Sequence, residues 1–201
     1  VKVLALDTSS AASSVAVACD GQLLAVRRFT APRGRGAEVF AVIEEMRETW
    51  KGLHRLAIGL GPGSYNGLRV ACALAGSFQM ALGLELTAAP SCCLLDVTEN
   101  DYSAIGDARG GRVWLAKVRG RRLSSEIELL PPDECLRRII DSATTIYRIG
   151  EIRGFEHLPA ASPNAAVLAS LAPDLPPADP ARLEPIYLKP PHITVPRSGR
   201  P

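Results

Sequence analysis

The sequence predicts an α/β protein in which one order of elements occurs twice. Short apolar runs ending in Asp, Thr, Ser or Gly alternate with longer segments whose apolar residues recur at helical spacing. The order strands, helix, strand, helix in the front half restarts after a polar stretch, ENDYS, at residues 99–103. The duplication is one of element order, without residue-level identity. With 201 residues, 47% of them hydrophobic and 22% charged, the chain has the composition of an ordinary globular protein with one core or two small ones.

In the front half, Val3 to Leu6 is an apolar run that ends at Asp7, Thr8, Ser9 and Ser10. Ser14 to Cys19 and Leu23 to Phe29 read as antiparallel strands joined by a tight Asp20-Gly21 turn. After the loop TAPRGRG, residues Ala37 to Trp50 place Val39, Phe40, Ile43, Met46 and Trp50 between charged residues, the pattern of a helix with one apolar face. Leu56 to Leu60 is a strand, GLGPGSYNGLR a turn, and Leu68 to Leu82 a second helix. Residues 86–90 add a strand, and Ser91 is placed to cap a short helix over Cys92 to Val97.

In the back half, Ala104 to Asp107, Val113 to Val118 and Leu123 to Leu130 read as strands, with turns at Arg109-Gly110-Gly111 and RGRR. Pro131-Pro132 stops the third, and Asp133 is placed to cap a helix through Ile140. Thr144 to Ile149 is a strand and Asn164 to Leu171 a short helix. The prolines from Pro173 onward favour extended chain, with Pro185-Ile-Tyr-Leu laid back on the body. The expected division is a front lobe over 1–98, a back lobe over 99–189 and a disordered tail over 190–201.

A net charge of +2 and dispersed Lys and Arg give no footprint of an independent nucleic-acid binder. The five cysteines form no metal spacing and no disulfide framework, and the three histidines lie far apart. They read as reduced core fillers and surface residues. The amino end goes directly into a strand without a secretory pattern, so the cytoplasm is the expected compartment. The longest charge-free run, Val70 to Leu84, falls short of the about 20 apolar residues of a membrane span.

The turn carries four glycines but neither standard nucleotide motif: Gly67-Leu68-Arg69 stands where a phosphate loop has lysine and a hydroxyl, and the glycine spacing is not that of a dinucleotide fingerprint. Three readings stay open: a bend that aims the next helix with Ser64 or Asn66 as cap, a bend that also approaches a nucleotide, and a catalytic element. GPGSYNG is not a nucleophile elbow. Asp7 and Asp107 end corresponding strands, where open α/β folds place phosphate or metal ligands and where turns also recruit aspartate. The candidate nucleotide or phosphate residues are Asp7, Thr8, Gly61, Gly63, Ser64, Asp107 and Arg109. No acid, base and nucleophile assemble from the sequence, so no catalytic residue and no metal ligand is assigned.

The helix after the turn is apolar or small nearly all round, with small residues at Gly67, Ala71 and Ala75 and at Cys72 and Gly76. Either the first helix and the chain's own tail cover it, or it meets a second polypeptide. The interface candidates are Val39, Ile43, Tyr65, Asn66, Leu68, Ala71, Cys72, Ala75 and Phe78.

The segments VLALDTSSAASSVAVACDG, RLAIGLGPGSYNGLRVACALAGSFQMALG, AIGDARGGRVWLAKV and PIYLK, in that order, resemble the TsaB family, also called YeaZ, over residues 1–189. The resemblance implies a duplicated actin-like, or sugar-kinase-like (ASKHA), fold of two lobes with mixed sheets and packed helices. It implies a non-catalytic scaffold and activator for forming threonylcarbamoyladenosine at adenosine 37 of transfer RNA. The partners it implies are a related TsaD-like catalytic subunit and a TsaE-like ATPase, with a homodimer in isolation and transfer RNA met only through the complex. ATP and a divalent metal then belong to the partner or the shared interface, with no cofactor held tightly by this chain and no membrane contact. GPGSYNGLR maps onto Gly61 to Arg69 and leads into the interface helix, and DAR maps onto Asp107 to Arg109.

Four positions depart from the family pattern. Tyr65-Asn66 replaces Phe-Thr, and Gly110-Gly111-Arg112 replaces a polar pair with glutamate. The ending reads Tyr187-Leu188-Lys189, with a tail beyond it. RGRGAEVF lacks the usual first-helix histidine; the catalytic relative carries two metal-binding histidines on this helix, which supports the non-catalytic reading. The competing readings are a weak ATPase, a degenerate glycoprotease-like enzyme and a self-associating regulatory protein.

Overall fold

A computed structural model of the chain describes residues 1–30, 37–140 and 142–189. The first sheet has strands β1 (Lys2–Asp7), β2 (Ala12–Cys19), β3 (Gln22–Thr30), β4 (Arg55–Gly59) and β5 (Glu85–Ala89) in the order β3-β2-β1-β4-β5. The hairpin pairs are antiparallel, and β1–β4 and β4–β5 are parallel. The hairpin turns where Asp20 and Gly21 take φ of 49° and 77°, the left-handed geometry that Asp-Gly accommodates. The second sheet pairs β6 (Tyr102–Asp107) parallel to β10 (Ile146–Ile149) and antiparallel to β7 (Val113–Arg119). The two mixed sheets are the two-part α/β arrangement that the sequence predicts.

Both faces of the first sheet are covered, so β1 is buried on both sides and reads as one apolar run. Leu4, Leu6, Leu56 and Ile58 face helices α1 (Ala37–Glu45) and α3 (Tyr65–Leu82). Val3, Ala5, Ala16 and Ala57 face α5 (Ala165–Leu171), which supplies Ala165, Leu168 and Ala169. Alanine on both partners lets helix and sheet approach closely. The last helix of the back half thus returns to the front sheet, and Asn164 caps it by accepting from the Ala166 amide at 2.9 Å. The second sheet buries Ile105, Val113 and Leu115 against Cys135 and Ile139 of α4 (Pro132–Ile140).

Several local features differ from the sequence reading. The single helix predicted over Ala37 to Trp50 is two, α1 and α2 (Arg47–Trp50), because Met46 leaves helical geometry at φ −87°, ψ 7°. The Trp50 indole N–H donates to the freed Ile43 carbonyl at 2.8 Å. The strand predicted over Leu123 to Leu130 is two short pieces, β8 (Arg122–Leu123) and β9 (Glu128–Leu130), both paired with β7. Between them the Ser124 amide and hydroxyl both donate to the Lys117 carbonyl, competing with a continuous ladder.

Ser91 does not cap a helix to Val97. A single 3-10 turn covers Ser91–Cys93, and the buried Ser91 hydroxyl accepts the Gly61 amide at 2.8 Å. Asp133 lies inside the first turn of α4, where it complements the helix dipole, instead of preceding it. The loop at 31–36 and the tail predicted as disordered at 190–201 lie outside the described residues.

Candidate functional site

The loop after β1 and the glycine-rich turn after β4 are packed backbone to backbone. The Ser64 amide donates to the Ser9 carbonyl at 2.6 Å, and the Thr8 hydroxyl donates to the Gly67 carbonyl at 2.7 Å. A Cβ on Gly63 would run into the Ser9 carbonyl, and one on Gly67 into the Thr8 carbonyl. Gly61 has φ 93°, outside the range an L side chain tolerates easily. These glycines are therefore required by the approach of two chain segments. Ser64 caps α3 by accepting from the Gly67 amide at 3.3 Å, and Gly83, at φ 64°, closes the other end by donating to Gln79.

Across from this turn, Asp107 ends β6 and its carboxylate accepts the Arg109 amide at 2.7 Å. Arg109, Gly110 and Gly111 all have positive φ (58°, 59° and 69°), which folds the connection to β7 tightly back. Gly106 has no room for a side chain because the Trp114 indole lies on it. Between the two turns runs a cleft of about 290 Å³, lined among others by Thr8, Gly63, Ser64, Asn66, Asp107 and Arg109. The structure thus brings Thr8, Gly63, Ser64, Asp107 and Arg109 together.

Asp7 and Gly61 lie beneath the cleft instead of in it. Asp7 is fully buried; its Oδ1 accepts from the Ser9 amide at 3.0 Å and the Ser9 hydroxyl at 2.6 Å, while Oδ2 has no hydrogen-bond partner. Burial pushes its pKa up, against smaller downward pulls from Ser9 and Ser91. A sealed carboxyl with a raised pKa is a poor ligand for a cation in the cleft. Among the described residues no group of His, Cys, Asp and Glu is assembled to hold a metal ion.

The interface candidates divide by burial. Val39, Ile43, Leu68, Ala71 and Ala75 are core residues, each 5% exposed or less, so a partner cannot touch them directly. Cys72 is half-buried, and Phe78 is held edge-on by Trp50 at 5.8 Å. Tyr65 and Asn66 are exposed; Tyr65 meets the Tyr187 ring at 5.1 Å, and the Arg69 guanidinium lies 5.4 Å from its centroid.

The outer stripe of α3 is instead Arg69, Ala73, Ser77 and Met80, with Met80 85% exposed, and on α1 the exposed large apolar residue is Phe40. The sequence reading missed these residues. The three- and four-residue spacing of 73, 77 and 80 was the available signal. The chain's own later residues cover part of the helical layer, since Ala178 and Leu183 pack against the same core.

No family model matches the chain. It is 32% identical over 137 residues to the tRNA threonylcarbamoyladenosine biosynthesis protein TsaB of Haemophilus influenzae, covering 62% of this chain and 56% of that protein. It is 29% identical over 131 residues to the protein of the same name from Escherichia coli, covering 59% and 55%. The chain thus spans just over half the length of these curated relatives. Its fold is shared with a Pseudomonas aeruginosa protein with similarity to peptidase YeaZ, at TM-score 0.76 and 23% identity over 94% of this chain and 99% of that one. YeaZ from the same organism gives 0.74 and 24% over 93% and 99%. Local sequence similarity to TsaB and a fold in common with YeaZ point to the same group of proteins as this chain's relatives.

Proposed function

We propose that this chain is a non-catalytic subunit in the formation of threonylcarbamoyladenosine on transfer RNA, docking on a related TsaD-like catalytic subunit through the outer side of α3 and α1. The observation that carries the docking is the exposed stripe Ala73, Ser77 and Met80 of α3, uncharged beyond Arg69 at its start, together with exposed Phe40 on α1. Neutral small and apolar side chains at that spacing suit close helix-on-helix packing. The same stripe serves a homodimer when the partner is absent. ATP and the divalent metal belong to the catalytic subunit or the shared boundary, a TsaE-like ATPase joins that assembly, and RNA meets this chain only within it. The cytoplasm is the compartment this role requires.

The division of labour is supported by Asp7, whose carboxyl is sealed from the cleft, and by Thr8, whose hydroxyl is already spent on Gly67. A weak ATPase is the competing reading, favoured by Ser64, Asp107 and Arg109 lining the cleft between the lobes. The deciding experiment reconstitutes RNA modification from the catalytic subunit, the ATPase, ATP and metal, with and without this chain. Modification should appear only when this chain is added, and the Ala73→Arg, Met80→Glu variant should bind the catalytic subunit at least about tenfold more weakly. Full modification without the chain, or metal-dependent phosphate release by the chain alone, overturns the proposal.

A further inference from the structure

The last described residues cross from one lobe to the other in four consecutive steps. The Ile186 amide donates to the Leu60 carbonyl, just past β4, at 2.8 Å. Tyr187 lays its ring against Tyr65, the first residue of α3, with an interplanar angle of 34°. Leu188 packs, half-buried, on the cluster built around Tyr102, Ala104 and Trp114 of the second sheet. The Lys189 ammonium donates to the Arg109 carbonyl at 2.6 Å, in the turn that forms the back rim of the cleft. Ile186 and Tyr187 therefore hold the front lobe, and Leu188 and Lys189 hold the back lobe.

The other crossings lie together at a different place. The Asp96 amide donates to the Ser162 carbonyl at 3.0 Å and the Asn164 amide to the Leu94 carbonyl at 2.9 Å, so the outgoing and returning segments are bonded to each other. The Arg121 guanidinium secures the same connection, donating to the carbonyls of Leu95 and Val97 and to the Asn100 side chain. A two-lobed body joined at one such place opens about it as a hinge. A second tie, fixed to the elements that border the cleft, resists that motion.

We infer that residues 186–189 are a strap that clamps the cleft between the lobes at its present opening. The strap acts on the glycine-rich turn and on the Asp107–Arg112 turn together, because its anchors are Leu60 and Tyr65 on one side and Arg109 on the other. Pro185 starts it with a fixed φ and no amide to satisfy, and Ile186 is the first residue that can bond to the front lobe. This inference stands apart from the partner proposal, since it concerns the isolated chain.

Hydrogen exchange on the full chain tests it, comparing the wild type with Tyr187→Ala, Tyr187→Phe and the Tyr187→Ala, Leu188→Ala double variant. Loosening the strap should speed exchange about tenfold at the hydrogen-bonded amides of Ser64 and Gly67 on one rim and Arg109 and Arg112 on the other, and enlarge the radius of gyration. The amides of β1 and β6 should stay protected, and Tyr187→Phe, which keeps the stack, should behave as wild type. Acceleration confined to residues 183–189, or at one rim only, shows a local packing contact and overturns the strap. If the double variant does not fold, Tyr187→Ala and Lys189→Ala are read alone: each must speed exchange at the rim opposite its own anchor, and failure to do so rejects the inference.

Discussion

Gly63 sits so close to Ser9 that the carbonyl of one occupies the space a side chain on the other would need, and the Ser64 amide bonds to that same carbonyl at 2.6 Å. The consequence is specific to these glycines. Gly63→Ala and Gly67→Ala should each lower stability by about 1–3 kcal/mol, the usual cost of forcing atoms into filled space. Chemical denaturation checks this; unchanged midpoints would mean that the two loops separate freely.

Gly76 offers the opposite case on the same helix. A Cβ there meets nothing within 4 Å, and its backbone is helical, so Gly76→Ala should stabilise the chain by about 0.5–1 kcal/mol. If the outer side of α3 packs closely on a second helix, the added methyl should weaken that association while the melting temperature of the isolated chain rises. Parallel changes of both quantities in one direction would argue that the partner docks elsewhere.

Buried Asp7 sets a pH dependence. Its folded pKa is raised above the unfolded value of about 3.9. Between those two values the native state keeps a proton that the unfolded chain has released, so stability falls as pH rises through that window and then levels off. Each pKa unit of displacement corresponds to about 1.4 kcal/mol. Asp7→Asn, neutral at every pH, should remove this slope and match or exceed the wild type at neutral pH. Denaturation midpoints of both proteins taken from pH 4 upward measure it; a wild type that grows more stable relative to Asp7→Asn as pH rises contradicts the assignment.

The legible parts of the fold were those written in local chemistry. Asp20-Gly21 specified its turn, Ser64 or Asn66 a cap that the structure assigns to Ser64, and the apolar runs before Asp7 and Asp107 their strands. At the break at Met46 the Trp50 indole bonds to Ile43, a contact that no periodicity reports. The return of α5 to the first sheet is equally non-local: the element order assigns it to the back half, whereas its alanines match those of β1, β2 and β4. In the candidate site, residue type alone could not separate Ala71 and Ala75, in the core, from Ala73, outside. Only the rotation of α3 about its axis decides that, and Leu68 and Leu74 fix it by packing inward.

That rotation yields the sharpest test of the docking surface. Ala75 is fully buried, so Ala75→Glu places an unpaired charge in the core and should cost several kcal/mol or abolish folding. Any loss of partner binding in that variant is uninformative. Ala73→Glu lies on the exposed side and should leave the melting temperature within the change expected for about 0.5 kcal/mol, while partner capture falls at least about tenfold. The charge acts only where a second surface must exclude water, because a solvated glutamate on a free helix costs almost nothing. Melting curves and titration against the catalytic subunit, run on the same two preparations, distinguish the cases. Undiminished binding by a stable Ala73→Glu chain removes this stripe from the interface.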